Sequence, residues 1–307
     1  MAIARLRDLF GAAMLFGIYS LLSAGVFVIL DAPDVAFTEA AVGAGISTVL
    51  MLATLALTAR SERPSARPQW LPLLVVAVTG AALIYGTLDM PRFGDPDAPV
   101  HRHVAPHYLQ QGPIETGVPN VVTAVLASYR GYDTLGEVTV IFTAGLGVLT
   151  LLGLGRAGGA SPASSAADRA MAHHVILRVV SKLLLPLILL FALYVQFHGD
   201  YGPGGGFQAG VIFAAGFILY ALVFGVGTAS RVATPGALRN LVALGVLVFG
   251  GVGVATMLLG GDFLDYNALA ADPVAGQHLG ILLVEAGVGI TVAAVMTTVF
   301  FAYAGRD

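Results

Sequence analysis

Long apolar segments recur along the whole chain, and they limit the fold more than any other feature. A helix needs about 20 apolar residues to cross the hydrocarbon core of a bilayer. Eight segments reach this length, near residues 9–30, 35–58, 70–88, 134–155, 175–197, 207–227, 240–259 and 280–304. Transmembrane β-strands would be about 10 residues long and would alternate apolar with polar residues. The sequence therefore predicts an all-α polytopic membrane protein with about eight transmembrane helices.

The composition agrees with this class. Only 11% of the 307 residues are charged and 57% are apolar, whereas a soluble domain carries about 25% charged residues. The first apolar segment is too long for a cleavable signal peptide, so we expect it to be a retained span. The absence of cysteine excludes disulfides, thiolate metal sites and cysteine nucleophiles.

The distribution of basic residues predicts the orientation. An eight-span topology places 12 of the 15 basic residues on one side of the membrane and leaves Arg92, Arg102 and Arg130 on the other. Cytoplasmic loops are the ones enriched in lysine and arginine. We therefore expect both termini to be cytoplasmic, in a multi-pass membrane protein.

A glycine-rich turn, FHGDYGPGGGFQ, separates the fifth and sixth spans. It lacks the Lys-Ser/Thr pair of a phosphate-binding loop and does not follow a strand, so a nucleotide site is excluded. Proline restricts the backbone of such a turn, and glycines permit positive φ and close backbone approach. The motif residues are Pro203, Gly204, Gly205, Gly206 and Phe207. The polar neighbours His198, Asp200 and Gln208 either complete a hydrogen-bonded turn or tune access of ions.

Three glutamates lie inside predicted spans, where a carboxylate is costly unless it is paired, hydrated or protonated. Glu39 lies one turn inside the second span, Glu137 in the first turn of the fourth, and Glu285 one turn inside the eighth. We interpret them as candidates for a proton or cation path. The alternative is that each lies shallow enough to be hydrated at the outer interface.

Other polar residues lie at the ends of spans. Asp34 follows Pro33 and is predicted to be the N-cap of the second span, and Asp133 is predicted to cap the fourth. Lys182, the only lysine, either extends to the cytoplasmic surface or pairs with a carboxylate of another protein in a complex.

No arrangement of residues indicates catalysis or a bound cofactor. The histidines between the third and fourth spans, His101, His103 and His107, lack suitably spaced carboxylates or cysteines and are predicted to form a solvated loop rather than a metal site. The short apolar stretch 121–130 that follows them cannot cross a bilayer and is predicted to be an interfacial or partly buried helix.

Three sequence motifs resemble known families. FHGDYGPGGGFQAGVIF resembles the signature of the B-type component of Mrp multisubunit cation/proton antiporters, over roughly residues 172–305. LDAPDVAFTEAAVGAGIST resembles the D-type component of membrane-bound hydrogenases, and YRGYDTLGEVTV resembles their E-type component. Both modules also occur in the C-terminal extension of the large A-type Mrp component. At Glu39 and Gly43 the chain follows the hydrogenase-type pattern, so this motif fits an antiporter and a redox-driven pump alike.

The resemblance implies a fusion of modules. Residues 1–69 would be the D-like module with two spans, and residues 70–155 the E-like module with two spans, an outer loop and a short interfacial helix. Residues 156–172 would be a linker, and residues 173–307 the B-like domain of four spans.

The same resemblance implies a function. It indicates a non-enzymatic membrane subunit of a Na⁺/H⁺ antiporter in a bacterial or archaeal cytoplasmic (inner) membrane. This subunit would contribute to the ion path and to assembly with large antiporter-like and small Mrp-type subunits. It would bind neither a cofactor nor nucleic acid. The candidate path residues are Glu39, Glu137, Glu285, Lys182, His198, Asp200, Gln208 and Asp133. The alternatives are a membrane-arm subunit of a hydrogenase-like redox-driven ion pump and a purely structural scaffold.

Overall fold

The computed structural model describes residues 3–63, 70–152 and 174–305, which form helices joined by turns. Eight of the described helices are long and apolar enough to cross a membrane. They are α1 (Leu9–Ile29), α2 (Pro33–Leu57), α3 (Trp70–Thr87), α4 (Gly131–Leu152), α5 (Val175–His198), α6 (Gly206–Phe224), α7 (Pro235–Leu258) and α8 (Pro273–Ala304). The all-helical class and the number of spans are thus confirmed. The predicted linker at 156–172 lies outside the described residues, and the module boundaries remain a prediction.

The last two helices begin earlier than the apolar pattern predicts, at Pro235 and Pro273 instead of near residues 240 and 280. The Thr234 side chain accepts a hydrogen bond from the amide of Ala237, and the Asp272 side chain accepts one from the amide of Val274. Capping by Thr or Asp followed by Pro is a strong start signal for a helix. It precedes the apolar residues, so hydropathy alone misses it.

Helix α8 is the centre of the bundle. It packs against α7, α6 and α4, and against the C-terminal part of α2. Phe249 of α7 and Ile281, Val292 and Phe300 of α8 are almost completely buried in this core. With 32 residues, α8 is about 48 Å long, which exceeds the roughly 30 Å hydrocarbon core. The helix is therefore longer than the apolar layer is thick.

Two helical segments widen into π-helix. In α2 the α-helical Pro33–Glu39 is followed by a π-helical segment, Ala40–Ser47, before the α-helix resumes. The predicted short helix forms as Val121–Thr123 and continues as a π-helical Ala124–Tyr129. π-helical insertions are rare and often mark functional sites.

The segment between α3 and α4 (residues 88–130) is not only a loop; we call it the outer segment after the side of the membrane that the sequence predicts for it. It contains Pro99–Arg102, Val104–Gln110 and Gly112–Thr116 as short helices. His107 Nε2 lies 3.3 Å from a carboxylate oxygen of Glu115. No group of three or more metal-ligating residues occurs within the described ranges.

Candidate functional site

The glycine-rich turn joins α5 to α6, as predicted, and its three glycines serve different purposes. Gly205 has a φ of +120°, a backbone conformation that favours glycine. Gly204 instead permits close approach, because a Cβ there would lie 2.6 Å from the carbonyl oxygen of Val195. A Cβ on Gly206 would overlap the backbone carbonyl oxygen of Glu285. The turn is therefore pressed directly against α8.

The carboxylate of Glu285 lies in the space that two glycines leave open. A Cβ on Gly205 would lie 3.1 Å from Glu285 Oε1, and one on Gly199 would lie 3.2 Å from Oε2. Because α8 starts at Pro273, Glu285 is about 18 Å along the helix axis, and its depth within the apolar span remains a prediction. Within the described ranges, no hydrogen bond or ion pair satisfies this carboxylate.

Asp34 contacts the same turn from α2. It is buried, and its Oδ1 accepts hydrogen bonds from the backbone N–H of Gly204 (3.3 Å) and from Asn120 Nδ2 (3.4 Å). The prediction that Asp34 is the N-cap of α2 is wrong. The N-cap is Ala32, with Pro33 at the first helical position and no side-chain cap hydrogen bond. Because Asp34 lies inside the first turn, its side chain is available to the loop.

Asp200 supplies a third carboxylate at this end of the bundle. Its Oδ2 lies 3.4 Å from His278 Nδ1 of α8. Asp200 and Asp34 are both close enough to Glu285 for their negative charges to repel a negative charge on its carboxylate. Side chains from three distant parts of the sequence thus form one acidic cluster beneath the turn, which we call the turn cluster (Asp34, Asp200 and Glu285).

Gln208 connects the turn cluster to α2. This buried amide donates a hydrogen bond from Nε2 to Thr38 Oγ1 (2.8 Å), and Thr38 donates to the backbone oxygen of Asp34 (3.0 Å). A Cβ on Gly205 would lie 3.6 Å from Gln208 Oε1. The predicted polar residue of α6 therefore lies beside the glutamate of α8.

Asn120, which the sequence analysis missed, holds the turn from the outer segment. Its Nδ2 lies 3.0 Å from the carbonyl oxygens of both Gly199 and Gly202. Its side-chain oxygen also caps the following helix by accepting from the amide of Val122 (3.0 Å). The sequence signal for the cap is an asparagine before an apolar run, but nothing local indicates the contacts with the turn.

A cavity of about 550 Å³ opens between the outer segment and the residues that precede and start α8. Ser128 Oγ donates to Gln277 Oε1 (2.7 Å) in its wall. The hydroxyl of Tyr129, also in the wall, donates to a carboxylate oxygen of Glu115. Burial, followed by the contact with Glu115, raises the pKa of Tyr129 above its ordinary value, so this hydroxyl remains a donor.

Glu39 does not face the turn cluster. It lies between α1 and α2, where a Cβ on Gly43 would be 2.6 Å from both Glu39 Oε1 and Ser20 Oγ. Thr38, one residue earlier, faces α6 instead. Adjacent helical residues point about 100° apart, so Glu39 points away from the face on which Thr38 contacts Gln208. It is the last residue before the π-helical segment.

The two candidates on α4 also lie apart from the turn cluster. Glu137 is exposed on the surface of the chain, and it lies beyond the first turn because α4 begins at Gly131. The predicted cap role of Asp133 is not observed, since this residue is inside the helix. Asp133 Oδ2 instead accepts a hydrogen bond from Arg130 Nε (2.6 Å).

Lys182 lies at the opposite end of the bundle, near the end of α6. Its Nζ is 5.8 Å from the centroid of the Phe224 ring, and the Arg178 guanidinium carbon is 5.3 Å from the same centroid. His198 stacks on Tyr194, with ring centroids 4.9 Å apart. The structure therefore gathers Asp200, Gln208 and Glu285 but separates them from Lys182.

Comparison with known proteins identifies the B-like part of the chain. Residues 176–298 match the family described as "Domain related to MnhB subunit of Na+/H+ antiporter". The putative antiporter subunit mnhB2 of Staphylococcus aureus (strain Newman) is 37% identical over 136 residues, which cover 43% of this chain and 96% of that relative. The chain belongs to the MnhB family. It is a multi-pass membrane protein, as predicted.

The N-terminal part of this MnhB-family chain matches two further families. Residues 1–60 match MbhD, the D component of MBH, and residues 73–168 match MbhE, the E component. The predicted resemblance to a fusion of D-like, E-like and B-like pieces is confirmed. The probable K(+)/H(+) antiporter A/B subunit of Rhizobium meliloti (strain 1021) is 29% identical over 292 residues, covering 86% of this chain but 28% of that protein.

Solved structures share the architecture of this MnhB-family chain. The structure of the Mrp complex from Dietzia sp. DQ12-45-1b contains a chain with a TM-score of 0.76 and 28% identity, which covers 100% of this chain and 33% of its own length. A chain of the membrane-bound sulfane sulfur reductase, an archaeal respiratory membrane complex, has a TM-score of 0.52 and 30% identity, covering 75% of this chain and 97% of its own.

Proposed function

We propose that this chain is a non-enzymatic membrane subunit of a multisubunit cation (Na⁺)/proton antiporter, where it forms part of the ion path and docks other Mrp-type subunits. The observation that carries the proposal is the unpaired Glu285 carboxylate within the turn cluster. The names of its relatives, which describe antiporter components of Staphylococcus aureus and Rhizobium meliloti, support this class.

The turn cluster supports ion exchange on electrostatic grounds. A carboxylate among apolar helices costs several kcal/mol unless it is paired, hydrated or protonated. No described protein group pairs with Glu285, and Asp34 and Asp200 add negative charge nearby. A proton, a cation or water must therefore satisfy it. Exchange between these partners is the elementary step of antiport.

Further polar groups continue the proposed ion path from Glu285 in two directions. Asp200 and His278 lie at the end of the bundle that carries the turn, which the predicted topology places on the outer side. Gln208 and Thr38 lead towards α2 and its π-helical segment. We assign Glu39 a separate contribution at the interface of α1 and α2, because its carboxylate faces Ser20 rather than the turn.

The proposal is tested by expressing the tagged chain with its neighbouring genes in a host that lacks Na⁺/H⁺ antiport. We expect co-purification with large antiporter-like subunits, and collapse of a proton gradient in everted vesicles on addition of Na⁺ or K⁺.

The resemblance to the sulfane sulfur reductase chain favours a redox-driven pump as the second candidate. Co-purification of nickel–iron or iron–sulfur subunits, with no cation-dependent gradient collapse, would overturn the antiporter proposal.

Glu39→Gln is expected to leave the complex assembled and to lower antiport several-fold, because the amide keeps the shape but cannot bind and release a proton. Antiport in everted vesicles, measured across a range of pH, checks this result. Glu62→Gln is the matched control, since Glu62 is exposed outside the bundle. Unchanged antiport by Glu39→Gln at every pH would remove Glu39 from the path.

The orientation can be tested by cysteine labelling, because the chain has no native cysteine. Tyr201 is 68% exposed in the turn, and Arg231 is exposed between α6 and α7. With both termini cytoplasmic, a membrane-impermeant maleimide should label Tyr201→Cys in intact cells. It should label Arg231→Cys only after permeabilisation. The reverse pattern would invert the topology.

A further inference from the structure

Asn120 makes more contacts with the glycine-rich turn than a helix cap requires. Its two Nδ2 hydrogens are shared among the carbonyl oxygens of Gly199 and Gly202, at 3.0 Å each, and Asp34 Oδ1 at 3.4 Å. Its backbone N–H donates to the carbonyl oxygen of Asp200 at 3.0 Å. One residue of the outer segment thus touches α2 and both sides of the turn.

We infer that Asn120 is a positioning residue: it fixes the glycine-rich turn, and with it Asp34 and Asp200, against Glu285. Its expected effect on antiport rests on the proposed function, whereas its effect on the stability of the assembly does not. Thr123 supports the same contact, because its hydroxyl donates to the carbonyl oxygen of Gly199 (2.7 Å).

The chemistry of the contact explains why an amide is needed. Two carbonyl oxygens and a carboxylate converge on one point, and they repel one another unless a donor lies between them. A buried acceptor that loses its donor destabilises the folded state, because it is removed from water without a partner. Asn120 supplies that donor through Nδ2 while Oδ1 caps the next helix. Asparagine is among the few residues that can do both.

The ordinary explanation is that Asn120 only caps the helix that begins at Val121. The two explanations predict different effects when Asn120 is replaced by Ser or Asp, which cap helices about as well as Asn. Serine offers one hydroxyl hydrogen on a shorter side chain in place of two amide hydrogens, so the Gly202 carbonyl oxygen loses its donor. Gly199 still accepts from Thr123, and Asp34 still accepts from Gly204. Aspartate adds a further negative charge against all three acceptors.

The test compares wild type with Asn120→Ser and Asn120→Asp in the complete complex. If Asn120 positions the turn, the thermal dissociation temperature of the purified complex and its antiport at neutral pH should both fall, in the order wild type, Asn120→Ser, Asn120→Asp. If it is only a cap, the three should be equal in both measurements. Thr234→Asp, which changes the cap of α7 far from the turn, controls for placing an acid at a helix start and should be tolerated.

The pH profile gives a readout that loss of packing would not produce. The protonated carboxyl of Asn120→Asp carries an O–H that can donate to the same acceptors, so its antiport should recover towards that of Asn120→Ser as pH falls. The other titratable groups that face this point are Asp34 on α2, Asp200 in the turn, and Glu285 and His278 on α8. They are common to both variants, and therefore the ratio of the two profiles isolates residue 120.

The outcomes separate this inference from the proposed function. If Glu285→Gln retains full antiport, the proposed ion path through Glu285 is wrong. The order of dissociation temperatures still tests the positioning role of Asn120 in that case. Equal dissociation temperatures and parallel pH profiles for the two variants would overturn the positioning role, whatever the antiport rate. Should a variant assemble too poorly to purify, the amount of complex in membranes provides the same ranking.

Discussion

Glu285→Gln is expected to reduce cation/proton antiport to the background of vesicles without the complex, while the complex still assembles. The amide has nearly the same shape as the carboxylate, so it fits between Gly199 and Gly205. It cannot bind and release a proton, and it cannot neutralise a cation beside Asp34 and Asp200. Gradient collapse in everted vesicles on addition of Na⁺, measured across a range of pH, is the direct assay.

Two further variants make this result interpretable. Glu62→Gln, the same change at an exposed position, should leave antiport unchanged. Glu285→Asp should retain part of the activity, because a titratable group survives in a displaced position. Wild-type antiport by Glu285→Gln at every pH would exclude Glu285 from the ion path, and loss of assembled complex would assign the residue a structural role.

Gly206→Ala is expected to abolish accumulation of the assembled complex. Its Cβ would overlap the backbone carbonyl oxygen of Glu285 and press on Val288. A flexible side chain can move away from a new methyl group, but helix backbone cannot, so α6 and α8 would have to separate. This contact lies within the core of the bundle, where overpacking costs about 1–3 kcal/mol and occasionally more. The amount of tagged chain in the purified complex is the measurement.

Gly250→Ala is the matched control in α7. A Cβ at this position has no described atom within 4 Å, and alanine in a helix is favoured over glycine by up to about 1 kcal/mol. The complex should therefore accumulate to wild-type amounts. Equal accumulation by the two variants would show that the close approach of α6 to α8 is not needed for assembly.

Much of the architecture follows from the sequence because the bilayer acts on short, continuous segments. The thickness of the hydrocarbon core sets the length of each apolar run, so eight spans are predicted and eight are found among the described helices. The turn at Pro203 is also predicted from neighbouring residues alone, since proline restricts the backbone at its own position and glycine frees it.

The errors in the prediction occur where an apolar pattern carries no information. Hydropathy places the start of α8 near residue 280, although the cap at Asp272 starts the helix at Pro273. Asp34 has the residue type and position of a helix cap. Its side chain instead accepts from Gly204, a residue that no local pattern links to it.

The turn cluster itself is decided by tertiary structure alone. Periodicity shows which residues share one helix face, but it does not say which face of α2 meets which face of α6 or α8. Packing determines that Thr38 turns towards Gln208 while the next residue, Glu39, turns towards α1. The amino-acid sequence predicts the spans, the turn and a set of acidic residues. The turn cluster forms through contacts between segments that are far apart in the chain. Gly205 and Gly206 permit the turn to approach α8 closely, and Asn120 supplies a donor to Asp34. These contacts bring Asp34 and Asp200 to Glu285.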